Sequence, residues 1–93
     1  MISVADHVRT WAEIDLDAIR HNIGVVRRRI GSQAEILAVV KADAYGHGVA
    51  PVARTLAAEA SIFGVANLKE ARDVAALGTG CDIMLLSACL PAE

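Results

Sequence analysis

The stretch "ILAVVKADAYGHG", residues 36–48, contains the features that decide the fold. It begins with five aliphatic residues, Ile36 to Val40, a run that is too short for a helix and typical of a parallel strand buried on both faces. Lys41 follows at once, although an unpaired ammonium group is costly in an apolar layer. Either the strand reaches the surface at Lys41, or the amine is held half-buried and uncharged for a chemical purpose.

Two segments upstream predict how the chain enters this strand. Residues 10–15, "TWAEID", alternate weakly and predict a short lead-in strand. Asp15 can then cap a helix over residues 16–30, which ends before Gly31. The apolar residues of that helix recur at three- and four-residue steps and are Leu16, Ile19, Ile23, Val26 and Ile30.

The same unit repeats downstream. Residues 49–60, "VAPVARTLAAEA", predict a helix, and residues 62–66 predict a second apolar strand. Asn67 and Glu70 have the spacing of an N-terminal cap with a reciprocal carboxylate, so another helix is expected to follow. Residues 83–86 predict a third strand. The order βαβαβ with short connections predicts parallel strands.

Three parallel strands fit either a doubly wound α/β domain or a (β/α)8 barrel, and the length of 93 residues bears on the choice. A complete barrel needs roughly 250 residues, and three strands alone leave apolar faces uncovered. We therefore expect an α/β chain that forms the N-terminal part of a TIM-like barrel and is truncated relative to it. Residues 1–15 would be the lead-in strand, and residues 16–93 would be a helix and the first three βα units. The alternative is a small stand-alone α/β domain.

Composition argues against several classes of function. The formal net charge is −2 and the isoelectric point is about 5.9, which gives no basic footprint for nucleic acid. Residues 27–29 are arginines that fan around a helix, and we expect them to be solvated. Cys81 and Cys89 are eight residues apart, which fits neither a zinc pair nor a C-x-x-C redox pair, so no metal site is expected. No apolar stretch is long enough to cross a bilayer and the N-terminus lacks a secretory core, so we expect a cytoplasmic protein without membrane partners.

The position of Lys41 favours a chemical purpose. Reactive groups of parallel α/β proteins collect where strands end and βα loops begin, and Lys41 lies at that end of its strand. Gly46 and Gly48 allow the backbone to approach a ligand, and the N–H groups of the next helix can bind an anion such as phosphate. A glycine-rich loop before a helix is a weak signal by itself, and the P-loop and G-x-G-x-x-G patterns are both absent.

The stretch "VVKADAYGHG" closely resembles the cofactor-attachment motif of the alanine racemase family. The resemblance extends through "TWAEIDLDAIRHNI" upstream and through "VARTLAAEA", "FGVANLKEA" and "IMLLSA" downstream, so it covers nearly the whole chain. It implies a pyridoxal 5′-phosphate enzyme with a (β/α) barrel, a separate C-terminal β domain that this chain does not include, and a homodimeric assembly. Related pyridoxal phosphate decarboxylases and homeostasis proteins share the lysine, but they usually lack the Tyr-Gly-His-Gly continuation.

The resemblance also implies roles for four residues. Lys41 matches the lysine that attaches the cofactor covalently, and Tyr45 matches the tyrosine whose hydroxyl binds the cofactor phosphate. Val39 and Leu86 match apolar positions near the cofactor. Strand alternation agrees in part, because it places Val39 and Lys41 on one face, and Leu86 is expected to end a neighbouring strand on the same side. His47 has no matched role, and packing or a hydrogen bond within the loop is the simpler account of it.

The function that the resemblance implies is interconversion of L-alanine and D-alanine, which supplies D-alanine for peptidoglycan. Lys41, as a neutral amine, would serve as the base on one face of the substrate, and a tyrosine from the partner subunit's C-terminal domain would serve the other. Two alternatives stay open. The chain can belong to another pyridoxal phosphate barrel, such as a racemase for a different amino acid or a decarboxylase, or it can be a fragment without a working site.

Overall fold

The computed structural model describes residues 9–93, in which helical segments alternate with three parallel strands. In chain order the elements are α1 (Leu16–Ile30), β1 (Leu37–Val39), α2 (Lys41–Tyr45), α3 (Val49–Leu56), β2 (Ile62–Val65), α4 (Leu68–Ala75) and β3 (Asp82–Leu85). The strands lie side by side in the order β1-β2-β3, and both pairings are parallel. The predicted α/β class with a parallel βαβαβ arrangement is confirmed.

Helix α1 begins and ends where the sequence predicts. The Asp15 side chain accepts a hydrogen bond from the Ala18 backbone N–H at 3.0 Å, which satisfies one of the free N–H groups of the first turn. Gly31 follows the last residue with φ of +77°, a conformation that few other residues adopt, and its N–H donates to the Arg27 carbonyl. Ile23 is the buried residue of the predicted apolar stripe.

The core lies between the sheet and the helices. Phe63 and Val65 of β2 are the largest fully buried side chains, with no exposed surface. Burying a side chain of this kind stabilises the fold by roughly 1.5–3 kcal/mol. They belong to one cluster with Ile23, Val40, Ala44, Val52, Ala53, Ala60 and Val74.

The opposite face of the sheet is open within the described residues. Residues in register on neighbouring parallel strands point the same way, and the register joins Val39 to Gly64 and Gly64 to Met84. Since Phe63 and Val65 face the core, Gly64 and its partners face away from it. Val39 is 38% exposed and Met84 is 46% exposed, so this face presents apolar side chains that the described residues leave uncovered.

Two details of the predicted organisation are wrong. Residues 10–15 form no strand, because within residues 9–93 this segment has no neighbouring strand to bond with, and residues 1–8 of the predicted lead-in lie outside the described part. The third βα unit is a strand alone, since residues 86–93 form turns and irregular structure. Residues 9–93 therefore contain α1, two complete βα units and β3.

Arg27 is also not the solvated residue that the sequence predicts. Its guanidinium donates to the Glu59 carboxylate at 3.1 Å and to the Glu59 carbonyl at 3.0 Å. It also donates to the carbonyls of Gly31 and Ala34. One side chain thus joins the end of α1, the connection to β1 and the turn after α3, and the planar five-donor guanidinium suits that task.

Candidate active site

Lys41 follows the point at which β1 stops being extended. The Val40 N–H donates to the Gly64 carbonyl at 2.9 Å, which is the last bond between these strands, and the Val40 side chain is buried. Val40 has φ of −123° and ψ of 22°, so the alternation of side chains ends there. Lys41 lies at the carboxyl end of β1, as predicted, and it is half-buried. The alternation argument, however, does not extend to it, because α2 sets the direction of its side chain.

Segment α2 is a left-handed turn, whereas its sequence predicts only a glycine-rich loop. Ala42, Asp43 and Ala44 have φ of 53–57° and ψ of 44–49°, and Tyr45 has φ of 58°. For residues with a Cβ atom this conformation costs about 1–2 kcal/mol each relative to the right-handed helix. Four such residues in succession are strained, and strain of this kind persists only where surrounding contacts enforce it.

Backbone and side-chain bonds hold the turn closed. The Ala44 N–H donates to the Val40 carbonyl, and the Gly48 N–H donates to the Asp43 carbonyl, both at 3.0 Å. The Asp43 carboxylate accepts from the Val49 N–H at 2.8 Å and so joins the turn to the start of α3. Asp43 was not singled out from the sequence; its signal was an acidic residue shortly before a helix start.

His47 completes the turn from its own side chain. Its Nδ1 lies 3.0 Å from the Ala44 carbonyl and 3.3 Å from the Tyr45 carbonyl. Both partners are acceptors, which assigns the proton to Nδ1. The hydrogen bond within the loop that was proposed for His47 is confirmed.

Glu70 connects the turn to the neighbouring βα unit. The predicted cap is present, since the Asn67 side chain accepts from the Glu70 N–H at 2.9 Å. The Glu70 carboxylate accepts from the Ala66 N–H at 2.7 Å and from the Ala42 N–H at 2.9 Å. These two bonds from backbone N–H groups lower the pKa of Glu70 from its ordinary value, and the bond from Ala66 has the larger effect. The contact with Ala42, across 28 residues, was not predictable from local spacing.

Leu86 reaches the open face near Val39 from one strand further away than expected. It follows β3, and β2 lies between β3 and β1, so β3 is not the immediate neighbour of β1. Gly64 of β2 bridges the gap: a Cβ atom added there would lie 3.0 Å from Leu86 Cδ1 and 3.0 Å from Leu37 Cδ2. The absence of a side chain lets these leucines approach each other over β2. Leu86 is 45% exposed on this face.

Tyr45 lies at the end of the left-handed turn and is 59% exposed. The Ser87 hydroxyl donates to the Ala66 carbonyl, which joins the carboxyl ends of β2 and β3. The four predicted residues therefore lie toward one end of the sheet: Lys41 and Tyr45 on α2, Val39 before them and Leu86 after β3. This end of the sheet therefore carries an amine, a phenol and exposed apolar side chains, which can respectively condense with an aldehyde, donate to a phosphate and contact an aromatic ring.

In residues 9–93 no group of three or more histidine, cysteine, aspartate or glutamate side chains could hold a metal ion. No helix of that part of the chain is long and apolar enough to cross a membrane.

Comparison with known proteins identifies the family. The family model "Alanine racemase, N-terminal domain" matches residues 14–93. This chain belongs to the alanine racemase N-terminal domain family.

Individual members of the family are similar in sequence and structure. An alanine racemase of Desulforamulus reducens is 50% identical over 82 residues, which are 87% of this chain and 22% of the relative. The crystal structure of the biosynthetic alanine racemase from Pseudomonas aeruginosa superposes with a TM-score of 0.75 at 46% identity, covering 85% of this chain and 22% of that chain. Alanine racemase from Bacillus anthracis with bound L-Ala-P superposes with a TM-score of 0.81 at 43% identity, covering 88% of this chain and 22% of that chain.

The likeness to these alanine racemases confirms the expected fold, a partial barrel of which the chain supplies the N-terminal strands. The chain spans about a fifth of the length of the relatives that it matches, 22% in the comparison with Desulforamulus reducens.

Proposed function

We propose that the complete protein is a pyridoxal 5′-phosphate-dependent alanine racemase in which residues 1–93 form the N-terminal part of the barrel. The observation that carries the proposal is the half-buried Lys41 at the carboxyl end of β1, at the start of a strained left-handed turn, in a chain of this family. Strained backbone clusters at functional sites, and the carboxyl ends of barrel strands are where barrel enzymes act. A homodimer that acts in the cytoplasm and supplies D-alanine for peptidoglycan belongs to the same proposal.

Each proposed site residue has a distinct task. Lys41 Nζ would hold the cofactor covalently and, as a neutral amine, would take the α-proton on one face of the substrate. The Tyr45 hydroxyl would donate to the cofactor phosphate, and Val39 and Leu86 would line the side of the site that holds the ring. When bound, pyridoxal 5′-phosphate supplies a ring that delocalises the electron pair left by the departing proton. Inversion of the stereocentre also needs a base on the opposite face, which we assign to the C-terminal domain of a partner subunit.

The experiment is an assay of D-alanine formation from L-alanine by the complete protein. Lys41→Ala should abolish turnover, and Lys41→Arg should do no better, because a guanidinium stays protonated and cannot attach the cofactor. Lys69→Ala is the matched control, since Lys69 is the only other lysine among residues 1–93 and is exposed on α4. It should keep turnover.

Borohydride reduction followed by peptide mapping gives an independent reading. The pyridoxyl group should be found on Lys41. A label on Lys69, or on a lysine beyond this segment, would contradict the assignment. If the complete protein racemises serine, or decarboxylates an amino acid, instead of racemising alanine, the proposed cofactor site remains and the proposed reaction is wrong.

A further inference from the structure

The Glu70 carboxylate bridges two elements that are distant in sequence. Its Oε1 accepts from the Ala66 N–H, just after β2, and its Oε2 accepts from the Ala42 N–H, immediately after Lys41. In a simple capping box a carboxylate at this helix position returns to the N-terminus of its own helix. Here one oxygen bonds the N–H of Ala66, one residue before the cap Asn67, and the other bonds the N–H of Ala42 in the left-handed turn.

The Ala42 N–H is one of the donors that the turn leaves without a backbone partner. The internal bonds of the turn begin with the Ala44 N–H, which donates to the Val40 carbonyl. A helical turn leaves its first N–H groups without internal partners, whichever hand it has. Glu70 supplies the acceptor for the first of these groups after Lys41, and a carboxylate makes a stronger bond to an N–H than a neutral acceptor does.

The orientation of Glu70 is itself fixed. Its N–H donates to the Asn67 side chain, which also begins α4, and both carboxylate oxygens are engaged. Helix α4 packs against β2 and β3 through the buried Val74. The contact with Ala42 therefore connects the strained turn to the rigid part of the fold.

We propose that Glu70 is a positioning residue for Lys41. The strand no longer sets the direction of the Lys41 side chain, because extended backbone ends at Val40. The left-handed turn sets it, and Glu70 holds the first amide of that turn in place. The inference rests on the proposed function only where the test measures attachment of pyridoxal phosphate. The contact between Glu70 and the turn does not depend on the proposed function.

The test compares Glu70→Gln with Asn67→Ala in the complete protein. Glutamine has the same shape as glutamate but only one acceptor oxygen, so it cannot serve both amides. Asn67→Ala removes the cap of α4 and keeps the carboxylate, so it measures what a loosened helix start does by itself. Glu70→Asp provides a second variant that keeps the charge but is too short to bridge.

Two measurements are made on each variant. Hydrogen exchange of the peptide over residues 41–49, in cofactor-free protein, reports opening of the turn. The rate at which added pyridoxal phosphate attaches, followed by its absorbance, reports whether the Lys41 amine is presented correctly. In Glu70→Gln and Glu70→Asp, exchange should accelerate and attachment should slow by about tenfold or more, the effect of one lost hydrogen bond to a charged group. Asn67→Ala should change each by about fivefold or less, the effect of one lost helix cap, since the carboxylate contact remains.

Unchanged exchange of the turn in Glu70→Gln would overturn the proposal, and so would equal effects of Glu70→Gln and Asn67→Ala. Faster exchange with an unchanged attachment rate would show that Glu70 only stabilises the fold. If the unsubstituted protein does not attach pyridoxal phosphate at Lys41, the proposed function fails, and the exchange measurement still decides whether Glu70 holds the turn.

Discussion

Replacing Ala42 by glycine should stabilise the left-handed turn, which is the opposite of what this substitution does in an ordinary helix. Ala42 has φ of 53° and ψ of 49°, and its side chain is exposed, so glycine removes no packing. The Glu70 contact uses the backbone N–H and is kept.

The magnitude follows from two opposing costs. Alanine in the left-handed region costs about 1–2 kcal/mol that glycine does not incur. Glycine loses about 0.5–1 kcal/mol more conformational entropy on folding. The net expectation is stabilisation of the turn by about 0.75 kcal/mol, within limits of about 0 and 1.5 kcal/mol, which corresponds to about threefold to fourfold slower exchange of its amides.

The assay is hydrogen exchange of the peptide over residues 41–49 in the complete protein, corrected for the intrinsic rate of each sequence. Ala18→Gly is the matched control, because Ala18 is exposed in the right-handed helix α1. It should destabilise α1 locally by about 0.5–1 kcal/mol. Faster exchange of the turn in Ala42→Gly would refute the left-handed assignment and the strain argument built on it.

Three further predictions concern the same end of the sheet. Tyr45→Phe should weaken pyridoxal phosphate binding by about one to two decades in a fluorescence titration, since one hydrogen bond to a charged group is lost; an unchanged dissociation constant would make Tyr45 a packing residue. Gly64→Ala should displace Leu86 and lower the affinity for pyridoxal phosphate by about fivefold, which is equivalent to about 1 kcal/mol of overpacking. If the substituted and unsubstituted proteins bind the cofactor equally well, Leu86 does not contact it. Because the pKa of Glu70 is lowered, its carboxylate stabilises the turn fully above the ordinary value of 4.5 and loses this effect as the pH falls through the lowered pKa. Corrected exchange of residues 41–49 should therefore accelerate only below about pH 4.5 and should do so less in Glu70→Gln, whereas equal acceleration in both proteins would show that the Glu70 carboxylate is not the group responsible.

Local patterns in the sequence were sufficient for the parallel architecture. The aliphatic run before Lys41 predicted β1, and Asp15 and Gly31 bounded α1, because caps and short apolar strands depend on neighbouring residues. The cap formed by Asn67 was predictable for the same reason. The resemblance of residues 38–48 to a cofactor-attachment motif indicated Lys41 and Tyr45, and those roles stay predictions.

The conformation between Lys41 and Gly48 was decided by tertiary structure. Nothing in the letters "ADAY" predicts left-handed backbone, which is unfavourable for every one of these residues. The bond from Ala42 to Glu70 joins residues that only the folded sheet and α4 bring together, and Gly64 brings Leu86 to Leu37 across a strand in the same way. The four hydrogen bonds of Arg27, one of which is also a salt bridge, likewise could not be predicted from neighbouring residues. Local sequence fixes conformations that neighbouring residues favour, whereas a strained conformation needs distant partners whose positions exist only after folding.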